Sequence, residues 1–180
     1  MTTTTNFTVP TKGEVSENNQ TIFDNLQNAL GFVPNIYAAM AHSNDALKNY
    51  LEFSNAKTSF SKKEKEVIDL AVSQVNDCRY CQSAHTAISK MNGFNDDQII
   101  ELRSGKASWD HKYDTLASIS KSIAISRGKI SEEETAKFYE VGYTKENLVD
   151  LVMAIGIITI TNLFHNITQV DIDFPVAPKL

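Results

Sequence analysis

The sequence predicts an all-α, single-domain fold, and three observations carry that prediction. Apolar residues recur three and four apart along most of the chain, and helix-start residues repeatedly precede those runs. No stretch alternates long enough for a strand: Lys129-Ile130 is too short, and Gly156 to Ile160 lies inside a longer helical run. Third, 180 residues with 42% hydrophobic side chains, seven glycines and four prolines suit one full core without an internal linker.

The elements follow in order. Residues 1–18 are polar and read as a lead segment, 19–175 as the helical domain and 176–180 as a tail. Ile22, Leu26 and Leu30 share one face, and Gly31 supplies a stop. Pro34 opens a turn from Asn35 to Met40, and Asn44 is the expected cap of a helix carrying Leu47, Tyr50, Leu51 and Phe53. Ser61 to Glu64 forms a capping box ahead of Val67, Leu70, Ala71 and Val75. Asn76-Asp77 is the expected cap of the next helix, which runs to about Met91 before Asn92-Gly93. Asn95-Asp96-Asp97 starts a short helix, and another spans Asp110 to about Arg127. Ser131 to Glu134 is a second capping box, closed by Gly142. Thr144 to Asn147 opens a long apolar helix that ends before Asp171. Asp150, Thr159, Thr161 and Asn162 interrupt it, so it reads as a buried helix rather than a membrane span. Phe174-Pro175 and Pro178 mark an extended tail.

A net charge of −5 without a basic stripe argues against a nucleic-acid partner. Met1 to Phe7 has neither a basic start nor an apolar run, so no secretory leader is expected. One close cysteine pair suits a cytoplasmic protein, where such pairs more often do chemistry or bind metal than staple a fold.

That pair, Cys78 and Cys81, comprises the only cysteines, and His85 follows one turn later. On a helix at about 100° per residue, with Cys78 at zero, Cys81 falls near roughly −60° and His85 near roughly −20°. All three therefore share a stripe in the first turns, where free N–H groups and the macrodipole favour a thiolate. Cys81, one turn from His85, is the expected attacker with a lowered pKa, and Cys78 the resolving thiol. Peroxide would oxidise Cys81 to a sulfenic acid, and Cys78 would condense with it to a disulfide. Glu64, Glu66 and Asp69 on the preceding helix are the carboxylates within reach, and periodicity does not choose among them.

Other chemistries fit less well. A zinc site lacks a fourth ligand, since His42, His111 and His165 are scattered and no second knuckle exists. Haem attachment needs a histidine where Gln82 stands, and a thioredoxin fold needs strands. No metal and no bound cofactor are expected. His165, inside the apolar helix, reads as a core histidine without a role, and the aromatic side chains read as core or subunit contacts.

The run from Ser61 through Cys78-Arg79-Tyr80-Cys81 to His85 resembles the alkylhydroperoxidase AhpD-like, or carboxymuconolactone decarboxylase, superfamily. Its motif is a glutamate twelve residues before a C-x-x-C, with a histidine four residues after, matched by Glu66, Cys78, Cys81 and His85. Leu30 to Ile36, Asn162 and Asp173-Phe174-Pro175 are similar to the peroxidase-related branch. The resemblance implies an all-helical fold assembled as a homo-oligomer, usually a trimer or hexamer. It implies peroxidase or disulfide-reductase chemistry, with a small peroxide as substrate and a thiol reductant or electron-donor protein as partner. Glu66 would be the relay acid, Cys81 the peroxidatic thiol, Cys78 the resolving thiol and His85 the base. Tyr80 departs from the pattern, occupying the place of a histidine in the best-known hydroperoxidases. A redox sensor and a lactone-processing decarboxylase are the alternative readings, and the latter relatives generally lack the cysteine pair.

Overall fold

Helix α4 (Lys62–Val75) is the element around which the others gather, because it is apolar or internally paired on nearly every side. Val67, Ile68, Leu70, Ala71 and Val72 on it are completely buried. It packs against α5 (Arg79–Met91), α6 (Asp96–Arg103), α7 (His111–Ser126) and α9 (Lys145–Thr168). The others are α1 (Glu17–Leu30), α2 (Asn35–Met40), α3 (Ala46–Ser54) and α8 (Glu132–Glu140). The computed structural model describes residues 7–180; residues 1–6, the first part of the polar lead segment, lie outside them. Among the described residues the only other regular element is a 3-10 turn at Lys12–Glu14, and no strand forms.

Local chemistry sets most boundaries as the sequence predicts. Reciprocal capping boxes join Ser61 to Glu64, Ser131 to Glu134 and Thr144 to Asn147. Gly31 ends α1 at φ 84°, a backbone setting that an L side chain strains to adopt. Some expectations need correction. Helix α1 begins at Glu17, inside the supposed lead segment, because the Ser16 hydroxyl caps it. Asp45, not Asn44, occupies the cap position of α3, and the Ala46 N–H donates to Ser43 Oγ at 3.2 Å.

The long helix α9 differs more. It is long and apolar enough to cross a membrane by length and composition, yet Leu151, Ile155 and Ile158 pack into the protein core. Its opposite face is not buried as predicted. Val149, Val152, Met153, Ile160, Leu163 and Ile167 are exposed, and apart from the adjacent Val152 and Met153 they follow one another at three, four or seven residues.

Beyond Thr168 the chain is extended and straps across α5 and α6. Arg79 Nη2 donates to the Ala177 carbonyl at 2.6 Å, and the Ala177 N–H donates to Ser83 Oγ at 3.1 Å. Arg103, only 1% exposed, donates through Nη1 to the Pro178 carbonyl at 2.9 Å. Its Nε and Nη2 both reach Gln74 Oε1, at 3.0 and 2.7 Å. A buried guanidinium held by neutral oxygens keeps its charge only while all those bonds persist. Arg103→Met is therefore expected to lower stability by about 3 kcal/mol, since each stranded buried acceptor costs about 1–3 kcal/mol. Urea unfolding measures the loss, and limited proteolysis should cut the tail of the variant first.

Candidate active site

The site begins with how α4 ends. The Cys78 N–H donates to the Ser73 carbonyl at 3.1 Å and the Asp77 N–H to the Gln74 carbonyl at 3.3 Å, with Asp77 at φ 49°. This paired bonding around a left-handed residue is a Schellman motif, and aspartate is among the few side chains that tolerate it. Asn76 and Asp77 are consumed in closing α4, so neither can cap α5. Cys78 is the cap instead, and its sulfur accepts from the Cys81 N–H at 3.2 Å. The expected Asn76 or Asp77 cap is thus displaced by one or two residues.

That displacement changes which sulfur ionises. Both cysteines are free thiols, 0% and 3% exposed. Hydrogen bonding from the Cys81 thiol pulls the Cys78 thiol down to about 5 against its burial. The adjacent His165 and the Cys81 backbone N–H add to the effect. Cys81 moves the opposite way, raised by burial and by the neighbouring Cys78 sulfur. Its sulfur lies 3.8 Å from Thr161 Oγ1. Against the expectation of a lowered pKa at Cys81, the lowered thiol is Cys78 and the raised one is Cys81.

Glu66 and Asp69 lie three apart on α4 and meet His85 and Ser89, four apart on α5. His85 Nδ1 stands 3.0 Å from Glu66 Oε2 and 3.6 Å from Asp69 Oδ2, and Ser89 Oγ donates to the same Glu66 oxygen at 3.2 Å. Burial opposes charge on His85, but Glu66 and Asp69 outweigh it and raise its pKa to about 9. Burial pushes Asp69 up to about 7, with His85 pulling against it and Glu66 adding to it. Glu64 belongs elsewhere, bonded to Ser61, Lys112 and Tyr143. Among the described residues no hydrogen bond joins His85 to either sulfur, so the predicted Cys81–His85 pairing is not made. The three ligand atoms of Glu66, Asp69 and His85 lie within 4.8 Å of one another, yet the 3.0 Å contact fits a shared proton better than a metal cage.

Several neighbours escaped the sequence reading. Tyr37, raised to about 12 by burial and by nearby Asp69 and Cys81, tilts against Tyr50 with ring centroids 5.9 Å apart. The Tyr50 hydroxyl in turn meets Thr161, the partner of Cys81. On α9, Thr161, Asn162 and His165 are buried polar residues on one edge of an apolar helix. Asn162 clamps the reversal, accepting from Asn76 Nδ2 at 2.9 Å and donating to Ser73 Oγ at 3.2 Å. The i, i+1, i+4 spacing of those three is the signal that could have found them. Tyr80 is structural: its hydroxyl donates to Asp173 Oδ1 at 2.6 Å and accepts from the Ile36 N–H at 3.4 Å.

The cluster binds protons that the unfolded chain does not, which fixes a pH dependence. Asp69 rises from 3.8 to about 7 and His85 from 6.5 to about 9, so each stabilises fully below its ordinary value and loses that contribution as pH climbs through its folded value. Stability against urea should therefore fall from about pH 4 to about pH 9, first through Asp69 and then through His85. Glu66→Gln should bring the His85 midpoint down, read by proton NMR of the imidazole, whereas Glu64→Gln should leave it in place.

Comparison with known proteins shows what this site and fold are similar to. Residues 41–112, which contain Glu66, both cysteines and His85, match the Carboxymuconolactone decarboxylase family, CMD. No curated protein sequence gives a significant match. The fold is similar to an AhpD-core, peroxidase-related protein from Ralstonia eutropha JMP134, with a TM-score of 0.84, 20% identity, and 93% of this chain and 92% of that one covered. A peroxidase-related protein from Silicibacter sp. TM1040 aligns with a TM-score of 0.80, 21% identity, and 92% and 88% covered. The debrominase Bmp8, seen as a cysteine-to-alanine variant with 2,3,4-tribromopyrrole, aligns with a TM-score of 0.77, 16% identity, and 95% and 93% covered. The motif region is therefore similar to the carboxymuconolactone decarboxylase family, and the chain as a whole shares the fold of the AhpD-core, peroxidase-related structures.

Proposed function

We propose that this chain is a cytoplasmic thiol peroxidase that reduces hydrogen peroxide or small organic hydroperoxides through a dithiol–disulfide cycle. One observation carries the reading: the Cys78 sulfur caps a helix N-terminus beside a second free thiol, with a proton-holding His85–Glu66–Asp69 cluster across the same helix pair. Burial of both sulfurs favours a small peroxide, and a small dithiol as reductant, over a bulky protein disulfide as substrate.

The steps balance as a two-electron reduction. Cys78 thiolate attacks the terminal peroxide oxygen, forming S–O while O–O breaks; sulfur is oxidised and the leaving alkoxide or hydroxide takes a proton. His85 is the donor, close enough to Cys78 for the thiolate charge to help hold its proton, and Glu66 and Asp69 replenish it. Cys81 then attacks the Cys78 sulfenic acid, forming the disulfide and releasing water. An external dithiol returns both cysteines to thiols. In this reading the two sulfurs exchange the roles that the family motif implies.

Reduced protein given one equivalent of hydrogen peroxide or cumene hydroperoxide should lose both thiols and one equivalent of peroxide. Cys78→Ser should abolish consumption, and Cys81→Ser should allow one turnover that stops at a sulfenic or over-oxidised Cys78. Retention of both thiols would refute the peroxidase. Because Bmp8 is a debrominase, 2,3,4-tribromopyrrole belongs in the same assay, and its faster consumption would move the substrate class to halogenated rings.

We also propose that the exposed stripe of α9 is covered by another copy, since a monomer would leave those apolar side chains in water. Light scattering should report a homo-oligomer, and Leu163→Arg should reduce its mass; a monomeric wild type would defeat the proposal.

A further inference from the structure

The His85–Glu66–Asp69 cluster can protonate the leaving oxygen, but a proton donor of that kind is poorly suited to draw the proton from Cys78. Another imidazole stands on the other side of the cysteine. His165 lies on α9, 3% exposed and near enough to the Cys78 sulfur to help hold charge there. Its Nε2 is 3.1 Å from the Val170 carbonyl, which can only accept, so Nε2 carries the hydrogen. In the tautomer with its hydrogen on Nε2 the ring offers a lone pair at Nδ1, and that atom is buried without a hydrogen-bond partner. A buried imidazole nitrogen without a partner is costly unless a function uses it.

The ring is also held in place. Tyr80 packs against it with centroids 5.3 Å apart and is itself fixed by Asp173. His165 reaches a surface groove shared with Asp77, Arg79 and Gln82, which gives a proton a way to water. The ionisable groups facing Cys78 are Cys81 and Tyr80 on its own helix, His85 further along it and His165 from α9. Tyr80 is committed to Asp173, Cys81 is a donor to Cys78, and His85 is committed to Glu66.

We propose that His165 is the acid–base residue of Cys78, its Nδ1 taking the thiol proton while the Val170 carbonyl fixes the ring's tautomer. One proton moves from sulfur to nitrogen and no electrons are transferred. When an external dithiol opens the disulfide, the same imidazolium returns the proton to the departing Cys78 sulfur. The catalytic meaning of this pair rests on the peroxidase reading, but the pair itself is defined by titration.

Thiolate absorbance and iodoacetamide alkylation, measured against pH in a Cys81→Ser background, isolate Cys78. His165→Gln should raise its midpoint by about one pH unit and slow alkylation near pH 6 by about twofold. An unshifted midpoint in a folded variant overturns the proposal. If His165→Gln does not fold, nitrogen-15 NMR of the wild-type ring decides: Nδ1 should gain a proton when disulfide is reduced to dithiol, and an unchanged ring overturns the pairing. Peroxide consumption is read separately. A shifted midpoint without peroxide turnover upholds the pair and removes the peroxidase, whereas normal turnover with an unshifted midpoint does the reverse.

Discussion

The reversal between α4 and α5 is the constraint on which the site depends. Asp77 takes the left-handed conformation that closes α4, and the next residue must cap α5. That next residue is a cysteine. Its sulfur receives the Cys81 N–H, so one short turn joins a backbone requirement to a chemical one. The same turn brings α5 back along α4, so the face with Glu66 and Asp69 meets the face with His85 and Ser89. Asn162 bonds to both Asn76 and Ser73 and fixes the reversal from α9. A wider loop would lose the cap and the proton cluster together.

Electrostatics then separates two sulfurs that composition makes identical. Two thiolates in one helical turn would repel, so ionising one suppresses the other. Cys78 has the helix terminus and His165, whereas Cys81 is enclosed by Thr161, Asn162 and the Cys78 sulfur itself. Cys78 is thereby the more acidic thiol of the two and Cys81 the less acidic. Across the helix pair, the carboxylates reverse the usual effect of burial on a histidine and keep His85 charged.

The helices were legible because caps and apolar spacing are local, and the motif placed Glu66, Cys78, Cys81 and His85 on the two helices that do meet. The ionised sulfur was not legible. It turned on whether Asp77 or Cys78 starts α5, a one-residue question that the Asn76-Asp77 pair answers wrongly because those residues also had to end α4. Choosing among Glu64, Glu66 and Asp69 required tertiary contacts: Glu64 is spent on its capping box, and the other two share one histidine. His165 was hidden by its neighbours, since a single imidazole in an apolar run reads as core until the element beside it is known. Tyr37 and Tyr50 left no signal, because aromatic residues at helical spacing are ordinary packing.

The extended tail extends this logic from proton placement to solvent exclusion. Arg79 and Tyr80, the first two residues of α5, are tied to Ala177 and Asp173, and Arg103 holds Pro178. These bonds press the last segment against the helix start where the Cys78 sulfur lies, and that sulfur has no exposed surface. A thiolate in water would be stabilised by solvent that must then reorganise as its charge passes to oxygen. A sulfur held by a backbone N–H has a donor already oriented, and excluding water strengthens that bond. The tail thus braces the start of α5 although it contributes no reacting atom, and buried Arg103 helps hold it there.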